Sequence, residues 1–188
     1  TLIDKKILID VPNGIVKHIK KLGYNTGEIE SILITHLHGD HFFDIPFFMF
    51  DRYFQKNDNL VCIYCPKGTK EKVKLLFDIG FPGDFDRINH AINVKFVEFD
   101  GESKIEGKDF VAYSKYVKHG NFEPAYGYII TLNNKKIGFS GDSKFCNAIE
   151  NIVEETDISI LDMSHAQNVS PAHMGIEDIK YLCNKYKN

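Results

Sequence analysis

Apolar residues recur along this chain with two periods, one of strands and one of helices, and their alternation outlines the fold. Ile7 to Val11 has the pattern of a short buried strand. Pro12-Asn13-Gly14 then turns the chain into a helix with Ile15, Val16, Ile19 and Leu22 on one face, closed by Gly23. A second strand spans Ser31 to Thr35, and the aromatic stretch from Phe42 to Phe54 is predicted to be helical in part. Leu60 to Tyr64 reads as a strand, Thr69 to Phe77 as an amphipathic helix with Val73, Leu76 and Phe77 inward, and Asn93 to Phe99 as a strand. Strands follow at Phe110 to Lys118 and Tyr126 to Leu132, and Asn133-Asn134 turns the latter into Lys136 to Phe139 as a hairpin. A strand at Ile158 to Leu161 and a final helix marked by Ile176, Ile179, Leu182, Cys183 and Tyr186 complete the pattern. Strands and helices mixed in this order predict an α/β (α+β) chain with sheets covered by helices.

One polar cluster breaks the pattern. Thr35-His36-Leu37-His38-Gly39-Asp40-His41 sets four metal-capable side chains at the exit of the Ser31 to Thr35 strand. Imidazole and carboxylate together suit zinc or another borderline divalent ion. In extended chain, residues two apart point the same way, so His36 and His38 can reach one ion side by side. Gly39 permits a tight turn, after which Asp40 and His41 come round toward a second ion. Two ligand pairs divided by a glycine fit two ions better than one. Holding such a group without a partner is too costly for a mere helix cap.

Composition narrows the field. A chain of 188 residues with 43% hydrophobic and 13% aromatic residues has enough material for a real core, and is read as a single domain over 1–188. A net charge of −3 argues against a general nucleic-acid surface, and Arg52 and Arg87 are the only arginines, so bidentate phosphate forks are scarce. No leader or membrane-length apolar run is visible, and a soluble cytoplasmic protein without a membrane partner is expected. Cys62, Cys65, Cys146 and Cys183 are too few for a disulfide framework. Cys62 and Cys65 sit in a strand ending at Pro66, whereas a redox pair is usually set at a helix N-terminus, so they are read as buried strand cysteines.

The sequence from His36 to His41 resembles the signature of the metallo-β-lactamase fold. Its continuation, His-Gly-Asp-His-Phe-Phe-Asp-Ile-Pro, resembles the ribonuclease Z and small phosphodiesterase branch, and the likeness runs from about Ile7 to Tyr186. That resemblance implies an αββα four-layer sandwich with metals at one edge of two sheets. It implies that His119, in Val117-Lys118-His119, is a third histidine for the first ion, and that Asp142, in Phe139-Ser140-Gly141-Asp142-Ser143, bridges both. His36, His38, Asp40, His41, His119 and Asp142 are thus the expected metal ligands. In that branch a late histidine pairs with a carboxylate and donates a proton. His173, in Ser170-Pro171-Ala172-His173, and Asp162 occupy those positions, with aspartate where glutamate is usual and Leu161 where a histidine is frequent. His165 is a nearby substitute for the role, more readily read as a surface-loop histidine. His18 and His90 are read as surface residues without a role.

Family members carry a further strand after the last helix, whose histidine completes the second ion's ligands. No histidine follows His173 here, and Thr1 enters what looks like half of a hairpin, so the chain is expected to lack its N-terminal and C-terminal strands. The expected activity is a phosphodiesterase with Asp40, His173 and Asp162 as catalytic residues. Its cofactors would be two divalent ions, zinc first, with manganese or iron as alternatives. Its substrate would be a small phosphodiester or nucleotide. Only 22 residues separate His119 from Asp142, too few for a tRNA-clamping arm, so RNA is the less favoured substrate. A lactonase or thioesterase, a ribonuclease Z-like nuclease without the arm, and a non-catalytic subunit of the same fold are the alternatives. A di-iron flavoprotein is disfavoured, since an acidic residue normally stands at the position of His38. The resemblance also implies a homodimer. Of the aromatic set Phe42, Phe43, Phe47, Phe48, Phe50, Tyr53 and Phe54, most are read as core, with Phe43 or Phe48 as candidates to face the site.

Overall fold

The computed structural model describes residues 1–167 and 170–186, and the chain divides into two compact units, Thr1–Phe99 and Asp100–Asn188.

The first unit is a five-stranded sheet in the order β1-β2-β3-β4-β5: β1 (Leu2–Ile3), β2 (Ile7–Ile9), β3 (Ser31–Leu33), β4 (Val61–Pro66) and β5 (Val94–Phe99). β1 and β2 form an antiparallel hairpin, and the pairs from β2 to β5 are all parallel. Parallel strands need long crossovers. Here they run through α1 (Ile15–Lys21), α2 (Gly39–Phe42), α3 (Ile45–Phe54), α4 (Thr69–Gly80) and α5 (Asp84–Ala91). Every residue of β2 and β3 is buried, as parallel strands covered on both faces require. Leu8 and Ile32 join Ile45, Phe48, Met49, Val73 and Phe77 in one apolar core.

Several boundaries move for local reasons. The Ile7 to Val11 strand ends at Ile9 because Asp10 takes a left-handed backbone, φ +59°. The Phe42 to Phe54 stretch divides into α2 and α3, with Pro46 in the first turn of α3, where its missing N–H costs nothing. Leu22 does not join the buried face of α1; it caps the helix and is 71% exposed. Arg52 is fully buried. It donates to the carbonyls of Thr26, Ile29 and Asn59 and to the Asn57 side chain, tying the turn before β3 to α3.

The second unit holds a sheet in the order β10-β9-β8-β7-β6: β6 (Lys104–Glu106), β7 (Phe110–Tyr116), β8 (Tyr126–Leu132), β9 (Lys135–Phe139) and β10 (Ile158–Ile160). β6 to β9 form an antiparallel meander. The β8–β9 hairpin is closed by Asn133 and Asn134, both left-handed at φ +50° and +61°, the conformation a two-residue primed turn demands. After α6 (Asn147–Glu154) the chain returns as β10, parallel to β9, and α7 (Ile176–Lys185) ends the described chain. Ile149 and Ile152 of α6 pack with Ile129, Met174 and Leu182. α6 comes close because β8 and β9 present glycine beneath it. A Cβ on Gly127 would lie 2.6 Å from Ile152 Cδ1 and 2.6 Å from the Phe139 carbonyl oxygen.

The four cysteines are free thiols. Cys65 lies in β4, not at a helix start, and burial pushes its thiol up to about 12, the reverse of what a redox thiolate needs. Cys62 is only half-buried. Among the described residues, no helix is long and apolar enough to cross a membrane.

Gly127→Ala should lower unfolding stability by about 1–3 kcal/mol, because the backbone oxygens that the new methyl meets cannot move aside. Urea denaturation followed by circular dichroism measures it. A stability equal to wild type would show that α6 does not sit tightly on this sheet.

Candidate metal centre

In the first unit the candidate ligands hang on the ends of two neighbouring parallel strands. β2 and β3 pair in register, Ile9 opposite Leu33, and Asp10 N–H donates to the Leu33 carbonyl at 2.9 Å. The left-handed turn at Asp10 brings its carboxylate over the exit of β3. There Oδ1 accepts from Thr35 N–H at 2.8 Å, and Oδ2 accepts from the Thr35 hydroxyl at 2.9 Å. Asp10 Oδ2 also accepts from His41 Nδ1 at 2.8 Å. Because the Thr35 hydroxyl spends its proton on Asp10, it accepts from His36 Nδ1 at 3.1 Å. Both imidazoles are thereby set in the Nδ1–H tautomer, in which Nε2 carries the lone pair.

His36 is fully buried, and its Nε2 lies 3.0 Å from His38 Nδ1. Two nitrogens bound at 2.0–2.1 Å to one tetrahedral ion stand about 3.3 Å apart, so this pair is spaced to share one. The His36 and His41 rings lie 4.0 Å apart between centroids. Asp40 opens α2 with its carboxylate exposed, 3.7 Å from His41 Nε2. His38 caps this short helix with extended backbone, and its carbonyl accepts from His41 N–H at 3.0 Å. A Cβ on Gly39 would meet the Phe43 ring at 2.7 Å, so the glycine makes room for an aromatic laid back over the ligand loop. Of the two aromatic candidates, Phe48 is buried in the core and cannot face a site, while Phe43 is 51% exposed.

Asp44 also acts beyond its own helix. Its carboxylate accepts from Gly14 N–H at 2.9 Å at the start of α1, and burial raises its pKa. Val11 N–H donates to the His41 carbonyl at 2.7 Å, a second tie between the β2 exit and the ligand loop.

The second unit repeats the device. β9 and β10 are parallel, Phe139 opposite Ile160, and Ser140 N–H donates to the Ile160 carbonyl at 3.1 Å. Gly141 is left-handed, φ +58°, and the chain turns there to present Asp142. Asp162, just beyond β10, is held on several sides. Its N–H donates to Ser140 Oγ at 2.7 Å, Oδ2 accepts from Ser143 N–H at 3.2 Å, and Oδ1 accepts from Ser164 Oγ at 2.9 Å. His173 Nδ1 donates to Asp162 Oδ2 at 2.6 Å. Aspartate therefore reaches this histidine despite being shorter than the usual glutamate. Ser170 Oγ accepts from the N–H groups of Ala172 and His173 at 3.1 Å each, fixing the turn that carries the ring.

His119 is buried, and its Nδ1 donates to the Ala172 carbonyl at 3.1 Å, which selects the same tautomer as in His36 and His41. His119, Asp142 and His173 each offer a ligand atom within 4.8 Å of the other two. His173 therefore stands where it can either donate a proton or bind an ion. His165 is exposed, with its ring 6.2 Å from that of His173 between centroids, and His18 and His90 are exposed on α1 and α5. Asp10 was not singled out by sequence reasoning; the one signal was a lone carboxylate at the end of an otherwise apolar strand.

The sequence profile of the family described as anti-Pycsar protein Apyc1 matches residues 1–188, and the chain belongs to that family. Ribonuclease Z of Pyrococcus horikoshii is 28% identical over 135 residues, covering 71% of this chain and 41% of that protein. This chain thus spans about two fifths of the length of that curated relative. The metallo-β-lactamase fold protein YhfI from Bacillus subtilis superposes with a TM-score of 0.74 at 17% identity, over 96% of this chain and 70% of that one. A diphosphatase from the PhnP family superposes with a TM-score of 0.72 at 21% identity, over 98% and 67%. The fold is that of the metallo-β-lactamases, and the sequence is ribonuclease Z-like.

Asp10→Asn should weaken metal binding about 10- to 100-fold, since the amide cannot hold His41 and Thr35 as the carboxylate does. Chelator competition with zinc measures this, with circular dichroism as the control for folding. Unchanged affinity in a folded variant would remove Asp10 from the centre.

Proposed function

We propose that this member of the Apyc1 family is a metal-dependent phosphodiesterase that hydrolyses a small phosphodiester or nucleotide. The observation that carries the reading is the convergence of His119, Asp142 and His173 within 4.8 Å, with His173 backed by Asp162. His36, His38, Asp40, His41, His119 and Asp142 are the residues that would hold two divalent ions, zinc first, with manganese or iron as alternatives. The donor set fits. Three buried or half-buried imidazoles have Nδ1 committed to a protein acceptor, and carboxylates stand beside them. When bound, such ions supply Lewis acidity toward phosphoryl oxygens and acidify a water toward neutral pH.

The chain's own residues do the rest. Asp162 accepts the hydrogen bond from His173 Nδ1–H and orients the ring. With Nδ1 occupied by Asp162, Nε2 is the ring atom left to pass a proton to the leaving oxygen. Asp40, exposed at the start of α2 with its carboxylate 3.7 Å from His41 Nε2, would be a ligand of the second ion. A small substrate is favoured over RNA because neither arginine is available for a phosphate fork. Arg52 is buried on carbonyls, and Arg87 is bonded to Asp84 and to the Tyr53 hydroxyl. The PhnP-family diphosphatase and the ribonuclease Z relative act on phosphorus centres by their names, in keeping with a diester in preference to a carbon ester. Four free thiols accord with a reducing cytoplasm.

Elemental analysis of the purified chain should find close to two divalent ions per chain; one or none would end the binuclear reading. Asp40→Ala should abolish hydrolysis of bis(p-nitrophenyl) phosphate and nucleotide diesters while the circular dichroism spectrum is kept. Faster turnover of lactones or thioesters than of diesters by the wild type would transfer the site to carbon-centred chemistry. His173→Ala should slow turnover about 10²- to 10⁴-fold, most for poor leaving groups, with the metal retained. Loss of metal in that variant would make His173 a ligand.

A further inference from the structure

We infer that Phe43 selects the organic part of the substrate by stacking a flat aromatic group, a nucleobase in the nucleotide case, beside the candidate ligands of the second ion. The inference rests on the phosphodiesterase reading and narrows it to diesters that carry such a ring.

Position comes first. Asp40 and Phe43 stand three residues apart in one helical turn. α2 opens at Gly39, Phe43 caps it with helical dihedrals, and Phe43 N–H donates to the Gly39 carbonyl at 3.0 Å. Side chains at that spacing emerge on the same face, with Cβ atoms about 5–6 Å apart. Both are exposed, the Asp40 side chain at 80%. A phosphoryl group held by an ion on Asp40 and His41 would therefore keep its ester substituent within reach of the ring.

Packing does not account for this ring. Phe42 and Phe48 are buried in the core, Phe47 meets Phe81 edge-on at 5.8 Å between centroids, and Phe54 stacks on Phe50 at 6.1 Å. Among the described residues, the one ring contact of Phe43 is with Phe42, at 5.1 Å and 75°. Its other support is Gly39, where a Cβ would lie 2.7–3.0 Å from the ring atoms Cε2, Cζ and Cδ2. The glycine thus lets the ring rest on the ligand loop, while about half of the residue stays in water. A single exposed phenylalanine is ordinary on a protein surface. One braced on a metal loop, three residues from a candidate ligand, is placed for contact. Aromatic rings pair by offset stacking, and a ring that is braced beforehand loses little freedom when its partner arrives.

The metal-loaded protein, titrated calorimetrically with adenosine 5′-monophosphate and with inorganic phosphate, gives the ratio of the two affinities. The wild type should prefer the nucleotide. Phe43→Ala should lower that preference about tenfold, the lower part of what one base on an aromatic ring contributes. Phe43→Trp should keep it, and Phe43→Leu, apolar but without a ring, should lose it as alanine does. In kinetics, Phe43→Ala should raise KM for thymidine 5′-(p-nitrophenyl) phosphate relative to methyl p-nitrophenyl phosphate, two diesters with one leaving group, and change kcat less. A nucleotide bound no more tightly than phosphate, an unchanged preference in Phe43→Ala, or full preference in Phe43→Leu overturns the role of Phe43 while leaving the reaction untouched. Turnover of neither diester by the wild type ends the phosphodiesterase reading, and this inference with it.

Discussion

A fully buried imidazole next to two more is tolerable only if every ring nitrogen has an assigned task, and most of this structure follows from that condition. His36 is inaccessible to water and lies against His38 and His41. Any ambiguity in where its proton sits would leave a buried donor or acceptor unmatched, at a cost of about 1–3 kcal/mol. The Thr35 hydroxyl removes the ambiguity by giving its one proton to Asp10 and accepting from His36. Asp10 does the same for His41. One carboxylate thus decides the tautomer of two imidazoles, directly in one case and through a hydroxyl in the other.

Each unit solves the problem of delivery in the same way. Two parallel strands end side by side, β2 with β3 and β9 with β10. The residue after the first strand bonds to the end of the second: Asp10 N–H to Leu33, Ser140 N–H to Ile160. The loops leaving the strand ends then carry the polar groups. Ligands in open parallel sheets gather outside the carboxyl ends of the strands because that is where successive loops converge. The glycines at 39 and 141 serve different needs in these loops. Gly39 makes space for the Phe43 ring, and Gly141 supplies a left-handed backbone.

Much of this was legible in the sequence. The metal loop stood out because three histidines and an aspartate have no reason to follow a buried strand. β8 was placed residue for residue, and its hairpin followed from Asn133-Asn134, since asparagine tolerates the positive φ that the turn needs. What escaped notice was short or irregular. β6 is three residues long and offers little periodicity, and α6 announces itself only through Ile149, Ile152 and Val153. Asp10 was absorbed into an expected strand because nothing local says that a carboxylate there reaches across to residues 35 and 41. Leu22 fitted the apolar period of α1, but the helix had ended one residue earlier. Such errors arise where tertiary contact, not local pattern, sets the outcome.

The left-handed backbone at Asp10 also bears on how such a centre could be moved between proteins. A designer copying the seven residues from Thr35 to His41 into another scaffold would carry over the candidate ligands but not the carboxylate that orients them, because it lies about 25 positions upstream, at the exit of a different strand. The smallest transplantable piece is the pair of strand exits, with their register and their one unusual φ angle. Heritable change faces the same restriction. The strand that contributes Asp10 cannot slip relative to its neighbour by even one residue, so the metal loop and the β2–β3 pairing must be inherited as a unit.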